Sequence, residues 1–300
     1  MKTLFITGAS GLWGRFLFTY FSANPNYSVY GTYNTSDEKI SNNKIHLDIT
    51  DFEKTKNILK AIMPDIIIHT AAISKVKICA ENRFLADKVN IKATENITEW
   101  CAEYNKKLIF FSTDMIYNSA DESILFAETD AANPSNYYAE TKLKAEEVIQ
   151  NIFNNYIILR VALSYGHGDP RHKSFSDWLY DNLKNGQNIN LFINQWRTPI
   201  YIKDGAKFID RLITLNKKNL ILNFGGIDKV NRVMFGTSFA KVFKLNLNLI
   251  NKVKVNSSDY SATASINSAM NISKIIEITH ITPHSIEENF FDLHTTLKSE

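Results

Sequence analysis

The chain has 300 residues, 44% of them hydrophobic and 22% charged, and carries a formal net charge of +3. That composition fits a globular protein of one large domain or two closely joined ones, and the lack of a dense Lys/Arg block argues against nucleic acid or an anionic membrane as a partner. Cys79 and Cys101 have no metal-ligand spacing and suit a reducing cytoplasm, and no apolar run is long enough for a signal peptide or a membrane span.

Residues 2–7 read as a strand and 11–23 as a helix, joined by Gly8-Ala9-Ser10-Gly11-Leu12-Trp13-Gly14. A Gly-x-x-Gly-x-x-Gly turn between strand and helix lets the backbone approach a dinucleotide pyrophosphate, and the helix N-terminus offers it N–H groups. Strands are predicted at 27–33, at 44–47 and at 65–69, with a helix at 51–62 between the last two. A long helix follows at 81–104, a strand at 107–112, a helix at about 135–153 and a strand at 156–160. Strands alternating with helices imply an α/β fold, a doubly wound parallel sheet with ligands at the strands' carboxyl ends. The rhythm breaks over 163–205 and after about 226, which are expected to form a smaller C-terminal substrate-binding lobe. Leu220–Phe224 is expected to return to the sheet. The nucleotide-binding domain is therefore assigned to 1–162 plus about 206–225, and the lobe to 163–205 plus 226–300.

Tyr138 and Lys142 lie four apart on a predicted helix and so share a face. An ammonium beside a phenol favours the phenolate and prepares it to exchange a proton with a substrate oxygen. Tyr180 and Lys184 have the same spacing, but in the expected lobe, where a surface helix face accounts for them. Ser112-Thr113-Asp114 ends a buried strand, where a hydroxyl reaches a cleft; capping and turn bonding account for such residues equally well.

Taken in order, the glycine turn, Leu47-Asp48-Ile49-Thr50-Asp51, His69-Thr70-Ala71-Ala72, Val89-Asn90, Ser112-Thr113-Asp114 and Tyr138–Lys142 resemble an extended short-chain dehydrogenase/reductase of Rossmann type. Within the NAD-dependent epimerase/dehydratase superfamily, the chain most resembles the dTDP-4-dehydrorhamnose reductase group. That group also includes the regulatory subunit of methionine adenosyltransferase. Arg197-Thr198-Pro199 through Asp204 and Asn231–Phe235 extend the likeness over most of the chain. Met115 stands where the family has an aromatic residue, and Ala139 where it usually has glycine.

The resemblance implies that Thr113 hydrogen-bonds the reacting carbonyl, Tyr138 passes it a proton, and Lys142 tunes Tyr138 and holds the nicotinamide ribose. It implies a cofactor site of Gly8, Ser10, Gly11, Leu12, Trp13, Gly14, Arg15, Asn34, Asp48, Ile49, Ala71, Ala72 and Asn90. Asp114, Trp196 and Arg197 are the expected substrate contacts. Alternative readings make Asp48 a cap of the helix near 51, Asn90 a polar residue on a helix face, and Arg15 a solvated one. His69 reads as a packed histidine and Arg160 as a structural ion-pair partner. No acid follows the second strand until Asp37, and Arg15 can pair with a 2′-phosphate, which favours NADP(H) with NAD(H) possible. The implied partners are a nucleotide-sugar substrate and a second copy of the chain. A nucleotide-linked 4-keto-6-deoxyhexose reductase is the expected function, with an epimerase/dehydratase or a non-catalytic NADP-binding regulatory subunit as alternatives.

Overall fold

A computed structural model describes residues 1–35, 43–168, 172–255 and 265–299; Asp37 lies outside them. The chain divides into two compact units, the first of Met1–Thr113, Asn136–Arg160 and Asn216–Ile221, the second of Asp114–Ser135, Val161–Leu215 and Leu222–Glu300.

The first half runs β1 (Lys2–Thr7), α1 (Leu12–Ser22), β2 (Tyr27–Tyr33), β3 (Lys44–His46), α2 (Phe52–Ile62) and β4 (Ile66–His69). It continues with α3 (Val76–Glu81), α4 (Arg83–Asp87), a π-helical turn at Lys88–Lys92, α5 (Ala93–Glu103), β5 (Lys107–Phe111), α6 (Tyr137–Ile152) and β6 (Tyr156–Val161). The seven-stranded sheet has the order Leu220–Phe224, β6, β5, β4, β1, β2, β3. The pairs from β3 through to β6 are all parallel. This is the doubly wound, Rossmann-type arrangement, and its order reverses between β1 and β4, where the carboxyl ends open a crevice.

Every residue of β4, β5 and β6 is buried, which explains their unbroken apolar runs: both faces are covered. Phe5, Ile67, Leu108, Phe110 and Ile158 meet Ile97 and Trp100 of α5 and Ala145 and Ile149 of α6 in one core. Asp51 caps α2 by accepting from Lys54 N, and Asn136 caps α6 by accepting from Ala139 N.

The helix expected at 81–104 is broken. Asn82 leaves helical geometry (φ −132°, ψ 73°) and its side chain accepts from Leu85 N, so a new helix starts one residue on. At 88–92 the ladder widens, and Ala93 N–H reaches back to Lys88 O.

The second unit is built around stacked and edge-on aromatic rings: Tyr165 lies on Tyr201 and against Phe235, and Phe290 meets both Phe235 and Phe239. Asp204, on the helix Ile202–Thr214, is buried and accepts from His284 N and from Asn289 Nδ2. It therefore fastens the start of the helix Ile286–Ser299. Among the described residues, no helix is long and apolar enough to cross a membrane.

Candidate functional site

The glycine turn holds a shape that side chains would destroy. Gly8 has φ +68°, and a Cβ on it would lie 2.8 Å from Ala71 Cα. A Cβ on Gly14 would lie 2.2 Å from Gly8 O, so the first turn of α1 rests directly on the loop backbone. Gly11 N–H closes the turn on Gly8 O at 3.0 Å, and Ala9 N–H bonds Thr32 O at 2.6 Å. Gly11 precedes α1 with extended backbone and no side-chain cap, and no acid stands in the helix's first turn. A bare, uncapped helix start behind a glycine cradle fits a pyrophosphate. Trp13 packs edge-on to Phe111, with ring centroids 5.4 Å apart. Ser10, Leu12 and Arg15 are each partly exposed.

Asn34, at the end of β2, is exposed, and its carbonyl accepts from His46 Nε2 at 2.8 Å. Asp48 accepts from Thr50 N, while the cap of α2 is Asp51, so the Asp48 carboxylate sits in a tight local turn of its own. Ile49 beside it is buried.

Past β4 the chain continues through Ala71 and Ala72, both partly exposed. Asn90 is 1% exposed and binds this segment with both ends of its amide. Its Oδ1 accepts from Ile73 N at 2.9 Å, and its Nδ2 donates to Ile73 O at 3.1 Å and to Thr141 Oγ1 at 3.0 Å. Asn90 therefore joins the loop after β4 to α6.

Thr113 lies two residues beyond the end of β5 and is 5% exposed. Tyr138 and Lys142 lie one turn apart on α6; Tyr138 is partly exposed and Lys142 buried. Burial pushes the Lys142 ammonium down to about 7, partly offset by Glu146 one turn further on. Glu146 is itself fully buried and holds Arg160 Nη2 at 2.8 Å and the Ser112 hydroxyl. Arg160 is thus the structural ion-pair partner expected. Tyr180 and Lys184 also touch, at 3.1 Å, but as an exposed pair on a helix of the second unit.

Asp114, Trp196 and Arg197 belong to the second unit. Asp114 and Arg197 are partners of one another, Arg197 Nε lying 3.5 Å from Asp114 Oδ2. Ser268 donates to the same carboxylate oxygen at 2.9 Å, and the guanidinium also donates to the backbone carbonyls of Trp196 and Ser265. Among the described residues, Trp196 Nε1 is buried without a hydrogen-bond partner, and Lys229 Nζ lies 5.7 Å from the centre of its ring.

Several links were not visible in sequence. His69 bonds Thr7 and Thr94, Glu146 neutralises Arg160, and Asn136 caps α6. Only Glu146 left a trace, as the residue four beyond Lys142 on the same helix face.

The chain is 28% identical over 202 residues to methionine adenosyltransferase 2 subunit beta of Xenopus tropicalis, a stretch covering 67% of this chain and 59% of that protein. It is 28% identical over 197 residues to the probable low-salt glycan biosynthesis reductase Agl14 of Haloferax volcanii, covering 65% of each. The chain thus spans about three fifths of the length of these relatives. The fold matches that of dTDP-4-dehydrorhamnose reductase from Bacillus anthracis in complex with NADP, with a TM-score of 0.84 at 23% identity over 98% of this chain and 99% of that one. The family model described as RmlD substrate binding domain matches residues 1–298, and the chain belongs to that family, within the NAD-dependent epimerase/dehydratase superfamily.

Proposed function

We propose that this protein is an NAD(P)H-dependent reductase of a nucleotide-linked 4-keto-6-deoxyhexose. The observation that carries the reading is the first unit's trio: Thr113 at the carboxyl end of β5, with Tyr138 and buried Lys142 one turn apart on α6. The family supports it, and so does the fold shared with a reductase solved with NADP.

The cofactor would lie along the first unit. Gly8, Ser10, Gly11, Leu12, Trp13 and Gly14 would hold its pyrophosphate, and Asp48 and Ile49 its adenine. Ala71, Ala72, Asn90 and Lys142 would hold the nicotinamide end. Arg15 and Asn34 would meet the 2′-position, and the described end of β2 has no acid, which favours NADPH. When bound, the reduced cofactor supplies the hydride. Thr113 would donate a hydrogen bond to the carbonyl oxygen, stabilising the charge that develops there. Tyr138 would deliver the proton to that oxygen, and the Lys142 ammonium would stabilise the phenolate left behind. Asp114 and Arg197, tied to each other, would serve the substrate by fixing the segment that carries Trp196. Cys79 and Cys101, both buried and free, fit a reducing cytoplasm.

A second reading rests on the likeness to the beta subunit of methionine adenosyltransferase 2, and makes the chain a nucleotide-binding regulatory subunit. The test is oxidation of NADPH in the presence of dTDP-4-keto-6-deoxyglucose, with and without an isomerising partner enzyme, for the wild type and Tyr138→Phe. Turnover lost in the variant supports the reductase. Tight NADPH binding without turnover in either protein favours the regulatory subunit.

A further inference from the structure

His69 closes β4 and is 1% exposed, with each ring nitrogen in a hydrogen bond: Nδ1 with Thr7 Oγ1 at 2.7 Å and Nε2 with Thr94 Oγ1 at 3.0 Å. The surrounding groups fix the direction of both. The Thr94 hydroxyl already donates to Asn90 O at 2.8 Å, so toward His69 it can only accept, and Nε2 must carry the ring proton. Nδ1 is then bare and accepts from the Thr7 hydroxyl. Thr7 Oγ1, its own proton committed, accepts from Ala71 N–H at 3.2 Å.

The chain of bonds continues on the far side. Asn90 clasps both backbone groups of Ile73 and donates to Thr141 Oγ1, and the Thr141 hydroxyl donates to Tyr138 O at 2.7 Å. Each hydroxyl donates once and each bond runs one way, so the series has a single consistent assignment. It runs from the last residue of β1 to the turn of α6 that carries Tyr138 and Lys142. The Ala71–Ile73 segment is held at one end by Thr7 and at the other by Asn90, where it passes against Gly8.

We infer that His69, neutral and fixed in its Nε2–H form, is a positioning residue: it joins the clasp at Thr7 to the clasp at Asn90, and so holds the Ala71–Ile73 segment and the Tyr138 turn in one arrangement. The inference rests on the proposed function in that this arrangement is the one a nicotinamide ring and a keto sugar would need. Burial, reinforced by the positive charge of Lys142, pushes the His69 imidazolium down to about 3, which keeps the ring neutral. With both nitrogens engaged and the ring enclosed, His69 holds groups in place and exchanges no proton with substrate.

The first test uses the full chain without cofactor. Two-bond proton–nitrogen correlation spectra of the histidines separate a protonated ring nitrogen from a bare one. His69 is expected as Nε2–H, unchanged from pH 7 to 5. An Nδ1–H form, or titration near 6.5, would overturn the inference. The second test breaks the series at Thr94, where valine keeps the shape and serine keeps the hydroxyl. Thr94→Val is expected to speed amide hydrogen exchange at Ala71 and Ile73 about tenfold, with Thr94→Ser close to wild type. Unchanged exchange at those amides, or equal acceleration throughout α2, would reduce His69 to ordinary core packing. In parallel, Thr94→Val is expected to weaken NADPH binding about tenfold. If the wild type binds neither NADPH nor NADH, the proposed function falls, and the ring and exchange measurements still decide the role of His69.

Discussion

The Nζ of Lys142 lies 3.9 Å from the centre of the Phe110 ring, so the ammonium of α6 rests on an aromatic face of β5. The ring quadrupole recovers part of what the charge loses on leaving water, and burial still dominates, with the group pushed down to about 7. A folded chain that resists a proton which the unfolded chain accepts is destabilised wherever the unfolded lysine is charged. This penalty is present in full below pH 7 and fades as pH rises from about 7 to 10.5. Lys142→Met is expected to raise the unfolding free energy at pH 6 by about 2 kcal/mol while abolishing turnover, as read by urea denaturation and steady-state kinetics.

His69 acts at lower pH. Its folded value of about 3 lies below its ordinary 6.5, so the stability it contributes is complete above 6.5 and is lost as pH falls toward 3. The loss is at most about 5 kcal/mol. Unfolding titrations at stepped pH should show this decline in the wild type and a shallower one in His69→Gln, which has no imidazole to protonate. Equal slopes in the two proteins would assign the acid sensitivity elsewhere.

Glu146 and Arg160 form an ion pair in which both side chains are almost fully enclosed, and Arg160 Nε adds bonds of 3.2 and 3.3 Å to the two carboxylate oxygens. Removing one partner strands the other, so Glu146→Gln is expected to cost about 3–5 kcal/mol. The double variant Glu146→Leu/Arg160→Met should recover most of that, because two apolar side chains need no pairing. In Glu146→Gln the Lys142 ammonium should also titrate lower than in the wild type, which carbon-13 labelled lysine would reveal.

The glycine turn makes a steric prediction. Gly14→Ala drives a Cβ to 2.2 Å from Gly8 O, a backbone atom that cannot swing aside. A loss of about 2–3 kcal/mol and of dinucleotide binding is expected. Gly11→Ala places its Cβ 3.4 Å from the same oxygen and should cost under about 1 kcal/mol. Thermal melts with and without NADPH would separate the two.

Most of the sheet was legible because burial on both faces demands unbroken apolar runs, as in Ile66-Ile67-Ile68-His69. The glycine turn was legible because Gly8 and Gly14 leave no room for a side chain. The break at Asn82 was not, since apolar periodicity continues across it while a side-chain cap quietly starts a new helix. The two identical Tyr–Lys spacings differ in burial, which spacing alone does not carry: Lys142 is enclosed, while Lys184 faces solvent. The pairing of Asp114 with Arg197, and the series through His69, join residues distant in sequence. No local pattern signals them.

β1 is an interior strand of the sheet, with β2 on one side and β4 on the other. A nascent chain that has exposed His69 already has all three strands, and with them the glycine turn. Assembly can then proceed outward in both directions as synthesis continues. Deleting residues 2–7 would remove the shared neighbour of β2 and β4, whereas deleting 44–46 would take away only an edge. Damage to β1 is therefore a defect inside the sheet, while damage to β3 stays at its rim.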